Sequence, residues 1–299
     1  MTTIPKIRPR RSVLYMPGIN RRAMEKARTL NADALILDLE DAVAPARKEE
    51  ARDLVCAEVR TGGFGNRELI IRINGEGTPW FKEDMAAVVE VQPDAILVPK
   101  IEDADMARRC LASLSALGAN LPLWAMIETP SGITFVDDIA ATDGVEVLVM
   151  GTSDLAKELR VEPTPDRQQL QYALSRTVVA ARRHGLDVLD GVSLILDDIE
   201  AFHAQCQQGR SLGFDGKTLI HPSQVEPSNR VFGPSTEQIE EARRVLSVWQ
   251  EAESQGRGVA VMDGRMIENL HAHQAARVVA FADALAEHHM KSEVGNDGK

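Results

Sequence analysis

Two carboxylates at the ends of neighbouring apolar runs could hold a metal ion. Glu128 follows the run 124–127, and Asp154 comes shortly after the run 145–150. Parallel strands joined by right-handed crossovers end at the same edge of a sheet, so we expect these carboxylates to converge. Carboxylates that converge among oxygen-bearing loops suit a hard cation such as Mg²⁺. Alternatively, each acid caps the helix that follows it, because acidic side chains favour the first turn of a helix.

Further charged side chains end other apolar runs. Glu40 and Asp41 belong to LDLEDAV, where three acids fall within four residues of an apolar segment. Such acids are costly unless they are paired or bind a metal. We predict that Glu40 hydrogen-bonds a water molecule on the metal, with an ion pair to Arg72 or Lys100 as the alternative. Arg72, in LIIRING, either pairs with a core carboxylate or binds substrate oxygens through its planar guanidinium.

The turn after the apolar run 145–150 offers backbone N–H groups. Gly151, Thr152 and Ser153 precede a predicted helix start. Unpaired N–H groups at such a position could bind a substrate carboxylate. An ordinary strand-to-helix turn would have the same sequence, so both interpretations stay open.

Eight short apolar runs alternate with charged, helix-like segments and predict the elements that position these residues. Runs rich in Val, Ile and Leu are typical of strands that are covered on both faces. Eight strand–helix repeats over roughly 225 residues match a (β/α)8 TIM barrel, an α/β fold whose active site lies at the carboxyl ends of its strands. A doubly wound open sheet is the alternative, but the chain has no glycine-rich dinucleotide loop. The runs are 12–18, 32–41, 68–75, 94–100, 121–130, 145–154, 185–192 and 215–222.

The pattern changes after residue 222 and predicts a small C-terminal extension. The segment 225–235 is predicted to be a loop because two prolines and a glycine interrupt it. The elements predicted beyond it are a barrel-closing helix capped by Ser235 over 236–253, a short strand over 259–267, an amphipathic helix over 271–289 and a disordered tail over 291–299. We therefore predict a barrel core over residues 1–232 and an extension over 233–299. So small a module cannot bury a core alone, so we expect it to pack on the barrel or on a neighbouring subunit.

Composition restricts the partners and the compartment. The formal net charge of −11 argues against nucleic acid as a partner, because a phosphate backbone requires a basic face. Three scattered cysteines are typical of free thiols in a reducing compartment. No apolar run approaches the roughly 20 residues that span a bilayer, and the N-terminus lacks the apolar core of a secretory signal. We expect a cytoplasmic protein without a membrane partner.

Seven motifs, in matching order from about residue 11 to residue 286, resemble those of a known family. They are RSVLYMPGINRRAMEKA, ADALILDLEDAV, RINGEGTPW, LPLWAMIETPSGI, MGTSDLAKEL, LGFDGKTLIHPSQVEPSN and VMDGRMI. This set resembles the citrate lyase β-subunit and malyl-CoA/citramalyl-CoA lyase family. The resemblance implies a TIM barrel with a C-terminal extension, dependence on Mg²⁺, and a homotrimer or hexamer with shared active sites.

The resemblance also implies roles for individual residues. Glu128 and Asp154 would bind the metal, and Arg72 would contact the substrate. Asp263, in the DG motif of the extension, would reach a neighbouring subunit's site as the catalytic acid/base, although a type I′ turn explains Asp-Gly equally well. Family members that act on citrate held by a carrier protein often have Asn at this position. An aspartate at position 263 therefore favours a substrate that is a free CoA thioester over one that is held by a carrier protein.

A CoA thioester carries phosphates, which a cationic patch beside the first strand could bind. Lys26 is the predicted contact within this patch. His221, at the end of the last run, could touch the pantetheine arm, but a core-facing histidine bonded to backbone is the preferred interpretation. The patch consists of Arg10, Arg11, Arg21, Arg22 and Lys26.

The predicted reaction is Mg²⁺-dependent carbon–carbon cleavage of a 3-hydroxyacyl-CoA with a distal carboxylate. Candidate substrates are malyl-CoA, β-methylmalyl-CoA and citramalyl-CoA, which would yield acetyl-CoA or propionyl-CoA and an oxoacid. Arg72 would stabilise the thioester enolate and Asp263 would protonate it. The alternatives are a citrate lyase β-subunit, a malyl-CoA thioesterase, and a non-catalytic CoA-binding assembly partner.

Overall fold

A closed barrel of eight parallel strands forms the larger of two compact units. The computed structural model describes residues 7–294, with side chains through residue 287. Residues 10–232 form the barrel unit, and residues 233 onward form the second unit together with residues 7–9. The strands follow one another around the barrel in chain order, so the predicted α/β barrel is confirmed. They are β1 (Ser12–Pro17), β2 (Ala34–Asp38), β3 (Glu68–Arg72), β4 (Ala95–Val98), β5 (Leu123–Ile127), β6 (Val145–Met150), β7 (Asp187–Asp190) and β8 (Gly216–Leu219).

Helices connect the strands and bury their apolar faces against them. Each strand is followed by at least one helix, as the alternating pattern of the sequence predicts. Within the described part of the barrel unit, the helices are α1 (Arg21–Ala27), α2 (Lys48–Thr61), α3 (Phe81–Val91), α4 (Ala104–Ala116), α5 (Pro130–Thr134), α6 (Val136–Ala140), α7 (Thr152–Leu159), α8 (Gln171–His184), α9 (Ile199–Leu212) and α10 (Val225–Phe232).

Side-chain alternation along each strand gives the barrel an inner and an outer apolar layer. In β2, Ala34 and Ile36 belong to the inner layer, whereas Leu35 belongs to the layer beneath the helices. The next inward position of β2 is Asp38, and the equivalent last position of β3 is Arg72. Alternation therefore delivers charged side chains to the carboxyl end of the barrel. The inner layer contains Val13, Tyr15, Ala34, Ile36, Ile70, Ala95, Leu97, Trp124, Met126, Val147, Val149 and Leu189.

The segment 225–235, predicted to be a loop, contains the helix α10 instead. Pro227 does not prevent this helix, because it lies in the first turn, where its missing N–H would have no helical partner. The helix packs against β1 and β8 and buries Phe232 in the outer layer. The helix α10 therefore covers the barrel between β8 and β1. The barrel-closing role expected of the helix over 236–253 stays a prediction.

The second unit is built from two helices and a hairpin. They are α11 (Thr236–Ser254), β9 (Ala260–Met262), β10 (Arg265–Ile267) and α12 (Asn269–Val294). Ser235 caps α11 as predicted, because its hydroxyl accepts the N–H of Gln238 while the Gln238 side chain accepts the N–H of Ser235.

The predicted single strand over 259–267 is a hairpin of two short strands. Asp263 and Gly264 both have left-handed backbone conformations, with φ of 48° and 76°, as a type I′ turn requires. The tail over 291–299 was predicted to be disordered. Its residues 291–294 are helical instead, and residues 295–299 lie outside the described residues. Between residues 7 and 294, no helix combines the length and apolar character needed to cross a bilayer.

Candidate active site

Four of the predicted site residues meet at the carboxyl end of the barrel, around the ammonium group of Lys100. Glu128 directly follows β5, Asp154 lies in the first turn of α7, and Glu40 comes two residues after β2. Lys100 Nζ lies 3.4 Å from an Asp154 oxygen, 3.6 Å from a Glu40 oxygen and 4.0 Å from a Glu128 oxygen. Arg72 reaches Glu40 from β3, with 3.0 Å between Nη1 and Oε2. The fold therefore brings Glu40, Arg72, Glu128 and Asp154 together.

Glu128 is a buried carboxyl group that lies close to a cation. Only 2% of the residue is exposed, and burial raises the pKa of Glu128 to about 7 although Lys100 acts in the opposite direction. Its Oε1 accepts the backbone N–H of Lys100 at 2.9 Å. Thr129, and not Glu128, caps the following helix, because the Thr129 hydroxyl accepts the N–H of Gly132. The capping interpretation is thus excluded for Glu128, whereas Asp154 does lie where an acid favours the helix dipole.

Lys100 is a site residue that sequence reasoning considered only as a partner of Glu40. Its φ of 53° is left-handed, which costs a non-glycine residue about 1–2 kcal/mol. Two hydrogen bonds hold this turn, from the Lys100 N–H to Glu128 and from the Ile101 N–H to the Met126 carbonyl at 3.2 Å. Burial alone lowers the pKa of Lys100, but the three carboxylates outweigh it and raise that pKa.

Arg72 is fixed by a carboxylate from the neighbouring strand. Its Nε and Nη2 each donate to one oxygen of Asp38 at 2.7 Å, and its guanidinium lies over the Tyr15 ring at 4.8 Å. Arg72 therefore pairs with a core carboxylate, the first of the two interpretations of this residue. Its Nη1 contacts Glu40 and is the part of the guanidinium turned to the other site residues.

Asp38 was missed, although it belongs to the acidic motif LDLEDAV. The β2–β3 register places Asp38 opposite Arg72. The Asp38 carboxylate also accepts the N–H of Glu40 at 2.9 Å and that of Ala42 at 3.2 Å. Asp38 thus positions both Arg72 and the loop that carries Glu40. Alternation along β2 could have marked it as inward-facing, but its pairing depends on the register between strands.

The turn 151–153 differs from its prediction in one respect. The N–H of Gly151 donates to the Ile127 carbonyl at 3.0 Å, so it cannot bind a substrate carboxylate. Thr152 and Ser153 begin α7, where N–H groups have no partner within the helix. Gly151 contributes in another way, because a Cβ there would lie 2.3 Å from Oε2 of Glu128. The missing side chain makes room for the Glu128 carboxylate.

The predicted phosphate-binding patch loses two of its five members, whereas Arg21, Arg22 and Lys26 are exposed on α1. Arg10 and Arg11 lie at the amino end of β1 and are buried, the opposite end from the carboxylates. Arg10 pairs with Glu68 at 2.7 Å and Arg11 pairs with Asp33 at 2.8 Å, because buried guanidinium groups need carboxylate partners. Lys26 is exposed on α1 and stays a predicted contact without these two arginines.

His221 and Asp263 are the two remaining predicted residues. His221 follows β8 and is exposed, so the core-facing interpretation is wrong; its Nδ1 accepts the backbone N–H of Ser223 at 3.2 Å. Asp263 belongs to the second unit, in the turn between β9 and β10. Its carboxylate lies 2.5 Å from Nη2 of Arg244, and both side chains are exposed.

The carboxylates fit a magnesium ion whose other ligands are water and substrate. Glu128 and Asp154 each place a hard oxygen donor within 4.0 Å of the same nitrogen atom, Lys100 Nζ. Among the described residues, no group of three or more acidic, histidine or cysteine side chains could hold a metal ion by itself. Mg²⁺ commonly binds one or two carboxylates and keeps several water or substrate oxygens. The donor set therefore suits a metal that is completed by the substrate.

Replacing Gly151 with alanine is expected to displace Glu128 and weaken Mn²⁺ binding by roughly 10–100-fold, the usual cost of misplacing a group that supports a metal site. The added methyl group would overlap the Glu128 carboxylate. Calorimetric titration with Mn²⁺ measures the effect, and thermal unfolding checks the fold. Gly75→Ala is the matched control, because its methyl group would lie 3.6 Å from Pro99, an ordinary contact. Equal Mn²⁺ affinity in the two variants would contradict the role of Gly151.

A barrel with carboxylates and cations at the carboxyl ends of its strands has the architecture of a barrel enzyme. The profile of the HpcH/HpaI aldolase/citrate lyase family matches residues 11–222. The chain belongs to this family and is an enzyme, which confirms the family resemblance seen in its motifs.

Relatives and solved structures agree with this assignment. The (3S)-malyl-CoA thioesterase of Cereibacter sphaeroides is 49% identical over 278 residues, which cover 93% of this chain and 96% of the relative. The citrate lyase subunit beta of Leuconostoc mesenteroides subsp. cremoris is 34% identical over 97% of each chain. The crystal structure of CitE from Mycobacterium tuberculosis in complex with magnesium, acetoacetate and coenzyme A has a TM-score of 0.73 and 28% identity, covering 90% of this chain and 97% of that chain.

Proposed function

We propose that the enzyme uses Mg²⁺ to act on a malyl-CoA-type thioester, and that thioester hydrolysis is its leading reaction. The observation that carries the metal-dependent chemistry is the approach of Glu128 and Asp154 to one point beside Arg72. Hydrolysis comes first because the thioesterase relative is 49% identical, against 34% for the citrate lyase subunit. Carbon–carbon cleavage, which the sequence prediction placed first, is the second candidate, favoured by the family itself.

Each site residue of the barrel would have its own role in the reaction. Glu128 and Asp154 would hold the metal ion, which supplies a Lewis acid for the substrate's carboxylate and hydroxyl oxygens. Arg72, already oriented by Asp38, would stabilise negative charge on the thioester oxygen without further reorganisation. Burial raises the pKa of Glu40, although Arg72 opposes it, and Glu40 would accept a proton from the attacking water. The water oxygen bonds to the thioester carbon and the carbon–sulfur bond breaks, which yields the hydroxy acid and CoA.

The second unit presents Asp263 beside an exposed apolar surface. Val261 and Met266 are cross-strand partners in the hairpin, and 71% and 58% of these residues are exposed. Exposed apolar surface of this kind is typical of protein contacts. The hairpin would dock on a neighbouring subunit of a homotrimer or hexamer and bring Asp263 to that subunit's site. There Asp263 would protonate the leaving group in hydrolysis, or the enolate in carbon–carbon cleavage.

Product identification tests the reaction. Purified protein is mixed with Mg²⁺ and malyl-CoA or citramalyl-CoA, and the products are identified by mass spectrometry. Free malate or citramalate with CoA supports hydrolysis, whereas acetyl-CoA with glyoxylate or pyruvate supports carbon–carbon cleavage. Activity only on a loaded acyl carrier protein would identify a citrate lyase subunit instead. No turnover of any of these thioesters would overturn the proposal.

Shared active sites predict complementation between two inactive variants. Asp154→Asn removes a metal ligand and Asp263→Ala removes the acid from the extension, so each variant alone is expected to have little activity. Co-expression with two affinity tags gives mixed oligomers, and in a mixed trimer about one third of the sites would combine two intact halves. Activity of doubly purified oligomers measures this. Verified mixed oligomers without recovered activity would show that Asp263 does not act across subunits.

A further inference from the structure

The Lys100 ammonium lies among the oxygens on which the proposed metal site depends. It is 3.4 Å from Asp154, 3.6 Å from Glu40 and 4.0 Å from Glu128, and no carboxylate of the described residues approaches it more closely. The structural ion pairs of the barrel are shorter, such as the 2.7 Å contact between Arg72 and Asp38. The Lys100 ammonium is thus shared between several carboxylates and does not form a short ion pair with any one of them.

A metal ion bonded to Glu128 and Asp154 would lie close to this ammonium. Two cations a few ångströms apart repel each other strongly in a partly buried site, because the effective dielectric constant is far below that of water. The Lys100 side chain is able to withdraw, since 42% of it is exposed and its four-carbon stem is flexible. Its backbone stays in place, held by the hydrogen bond to Glu128.

We propose that Lys100 is a tethered cation that competes with the divalent metal ion for Glu128 and Asp154. This inference rests on the proposed function, because it takes the metal site as given. Before metal binds, the ammonium compensates the carboxylates and keeps them together. When metal binds, the ammonium moves to the rim of the barrel, so that the site exchanges one cation for another. The competition weakens metal binding and thereby sets its affinity.

Mn²⁺ titration of variants tests the competition without an activity assay. Lys100→Met is expected to bind Mn²⁺ roughly tenfold or more tightly than the unaltered protein, because a charge about 4 Å away has been removed. Its melting temperature in EDTA is expected to fall and to recover with Mn²⁺. Lys157→Met is the matched control, because it removes the same charge from an exposed position on α7, and its Mn²⁺ affinity should stay within about threefold of the original.

If Lys100 had only a structural role, its replacement would not tighten Mn²⁺ binding. Unchanged or weaker Mn²⁺ binding by folded Lys100→Met would overturn the inference. Lys100→Arg keeps the charge and is expected to bind Mn²⁺ no more tightly than the unaltered protein, so tightening in both variants would also overturn it.

The unaltered protein provides a second test. Lys100 should react faster with an amine-acylating reagent in Mn²⁺ than in EDTA, as measured by peptide mass spectrometry, while Lys157 reacts equally in both. Equal labelling of Lys100 in the two conditions would overturn the inference. Asp154→Asn separates the two proposals: if it binds Mn²⁺ as well as the unaltered protein, the metal site is wrong. If it loses binding while Lys100→Met gains none, only the competition is wrong.

Discussion

Asp154→Asn is expected to lower malyl-CoA turnover by roughly 10³-fold or more, since a catalytic metal ion supplies several kcal/mol and each 1.36 kcal/mol is tenfold in rate. Asparagine keeps the shape of the side chain but loses the charge that a divalent cation requires. The fold should be little affected, because Asp154 is partly exposed and its contact is with the half-exposed Lys100. Steady-state kinetics over a range of Mg²⁺ concentrations and thermal unfolding measure the two effects.

Asp105→Asn is the matched control for this variant. Asp105 also lies in the first turn of a barrel helix, α4, so the substitution changes the helix dipole interaction in the same way without touching the site. We expect its turnover to equal that of the unaltered enzyme. An equal loss in both variants would assign the effect to helix stability, and unchanged turnover in folded Asp154→Asn would remove Asp154 from the metal site.

The barrel could be predicted from the sequence because its strands are buried on both faces. Such strands read as continuous apolar runs, and eight of them with intervening helices leave few alternatives. The approach of Glu128 and Asp154 follows from the same argument, since successive parallel strands end at one edge. The short helix α10 was missed because a proline in a first turn is locally indistinguishable from a proline in a loop.

Contacts that depend on register and on backbone strain could not be predicted. Asp38 holds Arg72 only because β2 and β3 pair in one particular register, which no local pattern encodes. Lys100 reaches the carboxylates through a left-handed turn that is unfavourable for lysine and is held by tertiary hydrogen bonds. Arg10 resembles a phosphate-binding residue in sequence, but the fold turns it to the amino end of the barrel and supplies Glu68 as its partner.

Asp190 also shows the limit of inferring function from polar strand ends. It ends β7 on the outward side, in the same layer as Val188, while Leu189 points into the barrel. The fully buried Asp190 carboxylate contacts Arg167 at 2.7 Å and Lys217 at 2.8 Å. Burial alone would raise the pKa of Asp190, but the two cations outweigh it and hold that pKa below its ordinary value. Its role is to neutralise two buried positive charges.

Asp190→Asn is therefore expected to destabilise the barrel by about 3–5 kcal/mol, the usual cost of breaking a buried ion pair, because it leaves Arg167 and Lys217 without a counter-charge. Urea unfolding followed by tryptophan fluorescence measures the loss. Lys217→Met should lower the unfolding free energy by less, since Asp190 still pairs with Arg167.

The stabilisation by Asp190 should also depend on pH. Because folding lowers the pKa of Asp190, its contribution to the unfolding free energy is present above its ordinary pKa of 3.8 and disappears as the pH falls through the lowered pKa. The difference in unfolding free energy between Asp190→Asn and the unaltered protein should accordingly shrink in acid. If this difference is the same at pH 7 and in strong acid, or is absent at pH 7, Asp190 does not act by neutralising the buried charges.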